Sequence, residues 1–344
     1  MKRTAVVICP GRGTYNKTEL GYLGQHHPDK TDLFARFDAI RSANGQTPIL
    51  ELDGATKFSA GRYSRGDIAS PLIYACSLAD AQSLDDDIEV VAVTGNSMGW
   101  YIALAVAGAV NDLDGFQVVN TMGTLMQEHL IGGQLIYPFV DDNWQIAGNT
   151  HQELLASVAQ INAQPGCTLA LSINLGGMLV LAGNDAGLAA FESSQPRLQE
   201  RFPMRLPNHA AFHTSLQQPV AILGNEQLSA IDFGQPGVPL IDGRGHVWWP
   251  GASDTTHLRD YTFGHQVTET YDFTAAIRAA AYEFAPDLFV VAGPGTTLGG
   301  AVAQSLILSD WSGLQSKQDF QARQATSPIL ASMGMPEQRA WVTR

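Results

Sequence analysis

A chain of 344 residues, 45% of them hydrophobic, is long enough to bury a large core and too apolar to be an intrinsically disordered protein. Its net charge of −13 argues against nucleic acid as a general partner, and no apolar run reaches the length of a membrane span. The three cysteines, Cys9, Cys76 and Cys167, are odd in number and widely spaced, so they suggest neither a disulfide framework nor a metal motif; a reducing, cytoplasmic setting fits.

In chain order, the pattern opens with a buried strand over 4–9. Its apolar run ends at Pro10-Gly11 and is too short for the core of a secretory signal. A helix is predicted over 69–82, with Pro71 in its first turn. The largely β-branched run 90–94 predicts a second strand, and the Ala-rich segment 99–110 a buried helix. Leu113, Phe116, Val119, Met122, Leu125 and Met126 recur at helical spacing over 112–128. Such alternation of strand and helix points to a mainly parallel sheet with helices on both faces. The middle differs: a strand over 134–140, a helix over 151–160, strands over 167–173 and 178–181 joined as a hairpin through Asn174-Leu175-Gly176-Gly177, and a helix over 185–194. That is the content of a small α+β subdomain. After Phe202 longer elements are expected to resume. A strand over 288–292 ends at Gly293-Pro294-Gly295, and a helix follows over 297–308.

The most informative junction is Gly95-Asn96-Ser97-Met98-Gly99, a G-x-S-x-G between a strand and a helix. This is the nucleophile-elbow pattern. In so tight a turn flanking side chains clash, so glycine fits on either side of Ser97. The Met98 amide points into the same space at a helix N-terminus, where the dipole favours developing negative charge. A serine hydroxyl is a poor nucleophile at neutral pH and requires a base within hydrogen-bond reach.

Further segments fall in a recognisable order. They are Pro10-Gly11-Arg12-Gly13 after the first strand, Ala69-Ser70-Pro71-Leu72, the elbow with Trp100, Ala107-Gly108-Ala109, and Thr121-Met122-Gly123 with Met126-Gln127-Glu128. The 174–183 hairpin, Phe212-His213-Thr214, the segment 266–273 and Gly293-Pro294-Gly295 complete the set. Together they resemble the malonyl-CoA:acyl-carrier-protein transacylases, free-standing acyltransferases of fatty acid and polyketide synthesis. The resemblance implies an α/β fold: an α/β-hydrolase-like large domain with a parallel sheet (1–129 and 204–344) and an inserted, small ferredoxin-like α+β subdomain (130–203). It implies ping-pong chemistry, in which Ser97 takes an acyl group from a CoA thioester and passes it to the phosphopantetheine thiol of an acyl carrier protein. Acyl-CoA and the carrier are then the partners, and no metal or bound cofactor is called for. His213 becomes the general base and acid, a carbonyl at Gln266 its orienter, and the backbone amides of Met98 and Arg12 the oxyanion hole.

Departures from the pattern bear on the substrate. Malonyl-specific members of the family carry an arginine where this chain has Met122, and methionine cannot donate to a carboxylate. Met122 therefore suits an uncharged acyl chain, and strict malonyl specificity is not expected. Arg12 replaces a usual glutamine; it either recognises a carboxylate from the opposite wall, contacts a phosphate of CoA or pantetheine, or faces solvent. Asn96 replaces a histidine, Trp100 a glutamate, Ser70 a glutamine and Thr270 a proline. With Met122 and the hairpin's Asn174, Asn96 and Trp100 are the candidate substrate-lining residues; for Met122 and Trp100 packing in the core is the alternative. Three other readings stay open. A hydrolase of the same fold would discharge carrier-bound acyl groups to water with the same Ser97 and His213. An unrelated α/β-hydrolase esterase would use Asp242 with His257 or His265, although no HGGG-type segment accompanies them. A member that only binds carrier proteins would not require Ser97 and His213 together.

Overall fold

The computed structural model describes residues 2–343. Its strands are β1 (Arg3–Cys9), β2 (Ile88–Gly95), β3 (Gly133–Pro138), β4 (Leu169–Leu175), β5 (Met178–Gly183), β6 (Met204–Arg205), β7 (Leu240–Ile241), β8 (Val247–Trp248), β9 (Tyr271–Asp272), β10 (Leu288–Val291) and β11 (Leu330–Ser332). Six of them form one sheet in the order β11-β10-β1-β2-β7-β8, parallel throughout except for the β7–β8 pair. β1 lies inside this sheet and is buried from Ala5 to Cys9. Burial on both faces accounts for its unbroken apolar run. In the β1–β2 register Cys9 faces Gly95. The loop after β1 and the elbow after β2 therefore leave the sheet side by side at its carboxyl edge, where open α/β sheets place their sites.

The helices of 112–128, 185–194 and 297–308 have the predicted bounds. The first two are capped by asparagine: Asn111 accepts from the amides of Leu113 and Asp114, and Asn184 from that of Gly187. The elbow helix stops early, at Val106, because Gly108 turns to φ +75° and the Ala109 amide closes on Leu104 O. The helix expected over 69–82 begins at Gly66, so Pro71 lies in its interior rather than its first turn. Proline cannot donate to the carbonyl four residues back. The Arg41 guanidinium supplies that bond instead, with Nη1 3.0 Å from Asp67 O. Residues 17–63, unassigned from sequence, hold short helices and the longer Thr31–Ala43.

The second sheet runs β6-β3-β5-β4-β9. Its first four strands, with helices Thr150–Asn162 and Asp185–Ser194, have the fourth-first-third-second order of a ferredoxin-like split βαβ unit. They close on a core of their own that includes Leu135, Tyr137, Leu154, Leu181 and Phe191. Two strands of this sheet fall outside 130–203: β6, and β9, which pairs parallel with β4. The longer elements expected after Phe202 resume only beyond β9, with the helix Phe273–Phe284 and β10. Between β6 and β9 there is one helix longer than six residues, Gln218–Gln227, and a π-helical turn, Tyr261–His265. That irregular stretch carries two of the residues considered next.

Candidate active site

Ser97 sits at the tip of the elbow with φ +56°, a strained value for a residue with a side chain. Its neighbours must be glycine. A Cβ on Gly95 would lie 2.2 Å from Gly99 O, and one on Gly99 would lie 2.1 Å from Cys9 O. The second clash shows how closely the elbow helix approaches β1, and so how the two loops come to share one space.

Into that space the loop after β6 brings His213, whose Nε2 is 2.7 Å from Ser97 Oγ. Nδ1 is 2.6 Å from the backbone carbonyl of Gln266. A carbonyl only accepts, so Nδ1 carries the proton, Nε2 is the acceptor, and the serine hydroxyl donates to it. Burial pushes the imidazole pKa down to about 4, beyond what the Gln266 carbonyl restores, and nearby His265 adds to the lowering. His213 is therefore neutral at pH 7, the form that a general base needs.

Gln266 does more than expected from sequence. It is buried; its Nε2 donates to Ser97 O at 3.0 Å, and its Oε1 accepts from the Tyr101 hydroxyl at 2.9 Å. One residue thus orients the base through its backbone and braces the nucleophile through its side chain. Tyr101 went unnoticed in the sequence; four residues beyond Ser97 on the elbow helix, its spacing is that of a same-face neighbour.

The amides of Met98 and Arg12 donate to no protein acceptor among the described residues. Both flank the cavity of Ser97 and His213, which Ser70, Tyr101, Gly123 and Phe212 also line. The space is narrow, with room for about one water molecule. Two unspent amides beside a serine at a helix N-terminus are the equipment of an oxyanion hole. The side chain of Arg12 is half-buried and tied to the protein: Nη2 donates to Ser64 O at 2.6 Å and Asn208 O at 2.7 Å.

The four candidate substrate-lining residues do not border the cavity of Ser97 and His213. Met122 is buried against Gly224, where a Cβ would come within 2.4 Å of its sulfur, and Gly123 and Met126 present the cavity face of that helix. Trp100 is fully buried; its Nε1 donates to Thr262 Oγ1 at 3.0 Å and its ring meets Tyr261 edge-on. Asn174 donates to Asp272 Oδ1 at 3.1 Å and borders a different cavity with Arg278 and Tyr282. Asn96 knits the turns together, its amide on Cys9 O and its carbonyl accepting from Gly99. The esterase reading loses its residues as well. Asp242 is held by Arg244 and Trp248, His257 pairs with Asp254, and His265 stacks on Tyr261. Among the described residues, no group of three or more His, Cys, Asp or Glu is placed to hold a metal ion.

No protein-family model matches the chain. It is 26% identical over 215 residues to a malonyl-CoA-acyl carrier protein transacylase of Salmonella typhimurium, covering 60% of this chain and 63% of that one. It is 27% identical over 277 residues to the polyketide synthase GfsB of Streptomyces halstedii (78% of this chain, 5% of the synthase). The chain thus spans less than two thirds of the length of these relatives. Among solved structures it resembles the malonyl-CoA:acyl carrier protein transacylase FabD of Xanthomonas oryzae, with TM-score 0.76, 18% identity, and 99% and 97% of the two chains covered. An acyl-carrier-protein S-malonyltransferase of Burkholderia pseudomallei gives TM-score 0.74 at 21% identity, with 98% of each chain covered. In the order of its motifs, in its relatives and in its fold, the chain resembles the malonyl-CoA:acyl-carrier-protein transacylase family.

Proposed function

We propose that this chain is a serine acyltransferase that moves an acyl group from a CoA thioester to the phosphopantetheine thiol of an acyl carrier protein. The single observation that carries the reading is the relay Ser97 Oγ–His213 Nε2–His213 Nδ1–Gln266 O, with bonds of 2.7 and 2.6 Å. In the first half-reaction the Ser97 proton passes to His213 Nε2 as Oγ attacks the thioester carbonyl. The tetrahedral oxyanion falls to the amides of Met98 and Arg12, each worth about 3 kcal/mol of barrier. The C–S bond then breaks, and the Nε2 proton leaves with the CoA sulfur. In the second half the carrier thiol gives its proton to Nε2 and attacks the acyl ester, and Ser97 leaves with that proton. The carrier's arm supplies the accepting thiol, so the cycle asks for no metal or bound cofactor. The named relatives act on acyl carrier protein or belong to polyketide synthesis, which supports the choice of partner. We place the reaction in the cytoplasm; no helix among the described residues is long and apolar enough to cross a membrane.

Intact-mass spectrometry tests this. Incubation with acetyl-, malonyl- and longer acyl-CoA is expected to give an adduct on Ser97 that persists until a carrier protein is added and then moves to the carrier. Label lost to water instead would mark a hydrolase of the same fold. An adduct that survives Ser97→Ala would remove Ser97 from the mechanism.

A further inference from the structure

Asp80 is fully buried near the end of the helix Gly66–Ala81, the helix that also brings Ser70 to the Ser97 cavity. The relay of Ser97, His213 and Gln266 makes no use of it, yet it gathers distant parts of the chain. Its Oδ1 accepts from His27 Nε2 and from Arg339 Nη2, both at 2.7 Å. Its Oδ2 accepts from the Tyr22 hydroxyl and from the Gly293 amide, again both at 2.7 Å. These donors fill the acceptor sites of an ionised carboxylate. Arg339 Nη1 in turn donates to the Tyr22 oxygen at 3.0 Å and to Met333 O at 3.2 Å. Tyr22, His27 and Arg339 are buried as well. A charged cluster so far from water is a poor way to gain stability, because desolvation offsets most of the attraction. What the cluster does hold in place is the turn after β10.

That turn, Gly293-Pro294-Gly295, packs against the loop after β1. A Cβ on Gly293 would lie 3.0 Å from Pro10 Cγ, and one on Gly295 would lie 2.3 Å from Thr14 O. One on Gly334 would lie 2.1 Å from Gly295 O, so the turn after β11 backs the stack in its turn. Pro10 and Thr14 bracket the Arg12 amide, which donates to no protein acceptor among the described residues. With no bond of its own, the amide is aimed by whatever its loop rests on. The Arg12 side chain gives the loop one support, through Ser64 O and Asn208 O. The turn held by Asp80 gives it another. Resting on the acyl-transfer reading, we propose that Asp80, with Tyr22 and Arg339, is a positioning residue of the oxyanion hole: it fixes the Gly293 turn, and through it the aim of the Arg12 amide.

The test is single-turnover acylation of Ser97 by malonyl-CoA, with acetyl-CoA alongside, which gives a rate constant at saturation and a half-saturating concentration. Asp80→Asn keeps the size of the side chain but puts a donor where an acceptor stood, so it cannot hold every partner. It is expected to lower the rate constant about 10- to 100-fold with little change in the half-saturating concentration, the signature of a displaced transition-state donor. Butylboronic acid gives a second readout. Its boron bonds to Ser97 Oγ, the serine proton passes to His213, and the tetrahedral anion so formed offers an oxygen to the two amides. Asp80→Asn should weaken that adduct by a similar factor. Tyr22→Phe removes one bond to Asp80 and should show the same pattern, several-fold. A variant that loses thermal stability while its folded chain acylates at the native rate overturns the positioning role, as does a change confined to the half-saturating concentration. Should Asp80→Asn not fold, Tyr22→Phe decides by the same readouts, and native values in both overturn the proposal. Failure of every thioester to acylate Ser97 in the native chain overturns the acyl-transfer reading instead, and the boronate comparison still judges the aim of the Arg12 amide.

Discussion

Acidification should leave acylation running well below the pH at which an ordinary histidine base fails. The neutral imidazole of His213 is the reactive form, and burial holds its pKa at about 4 against an ordinary 6.5. At pH 5.5 a base with a pKa of 4 is about 97% neutral, whereas one with a pKa of 6.5 is about 9% neutral. The rates on the two assumptions therefore differ about tenfold there. The same shift makes stability depend on pH, and the sign follows from proton counts. Between pH 6.5 and 4 the unfolded chain binds a proton on this histidine that the folded chain does not. Stability is thus intact above pH 6.5 and falls as pH drops through the window, by at most roughly 3 kcal/mol from this residue. The assay is single-turnover acylation of Ser97 at limiting acyl-CoA between pH 3.5 and 8, with a denaturant midpoint at each pH. An acid limb centred near 6.5 in chain that is still folded would refute the assignment of a buried, neutral base.

Gln266→Ala removes the bonds to Ser97 O and to the Tyr101 hydroxyl but keeps the carbonyl that orients His213. It should cost about 1–3 kcal/mol in denaturant unfolding, because a buried hydroxyl is left unpaired. The acylation rate should fall more than the affinity for acyl-CoA, and an unchanged rate would count against the bracing role. Met122→Arg places a guanidinium against Gly224 in the core and is expected to lose about 3 kcal/mol or more without raising the share of malonyl loading. Equilibrium unfolding and the intact-mass assay check both parts, and a stable variant with improved malonyl loading would contradict the placement of that side chain.

Much of this protein was legible because the determining contacts are close along the chain. Gly95 is fixed by a turn that cannot hold a Cβ, and the 112–128 and 185–194 helices by an asparagine cap and a 3.6-residue stripe. The order of short motifs carried the fold and the pairing of Ser97 with His213, although the two are 116 residues apart. What the residue string does not encode is the direction in which a side chain points once helices pack. Met122 and Met126 lie on the same stripe, and only the approach of Gly224 sends one into the core and leaves the other at the cavity. Trp100 is drawn inward by Thr262 and Tyr261, and Arg12 by the carbonyls of Ser64 and Asn208, partners 52 to 196 residues away. The irregular stretch before β9 has no periodicity to read. Its conformation, and with it the carbonyl and amide of Gln266, is set by long-range hydrogen bonds that exist only after the elbow helix and the His213 loop have met.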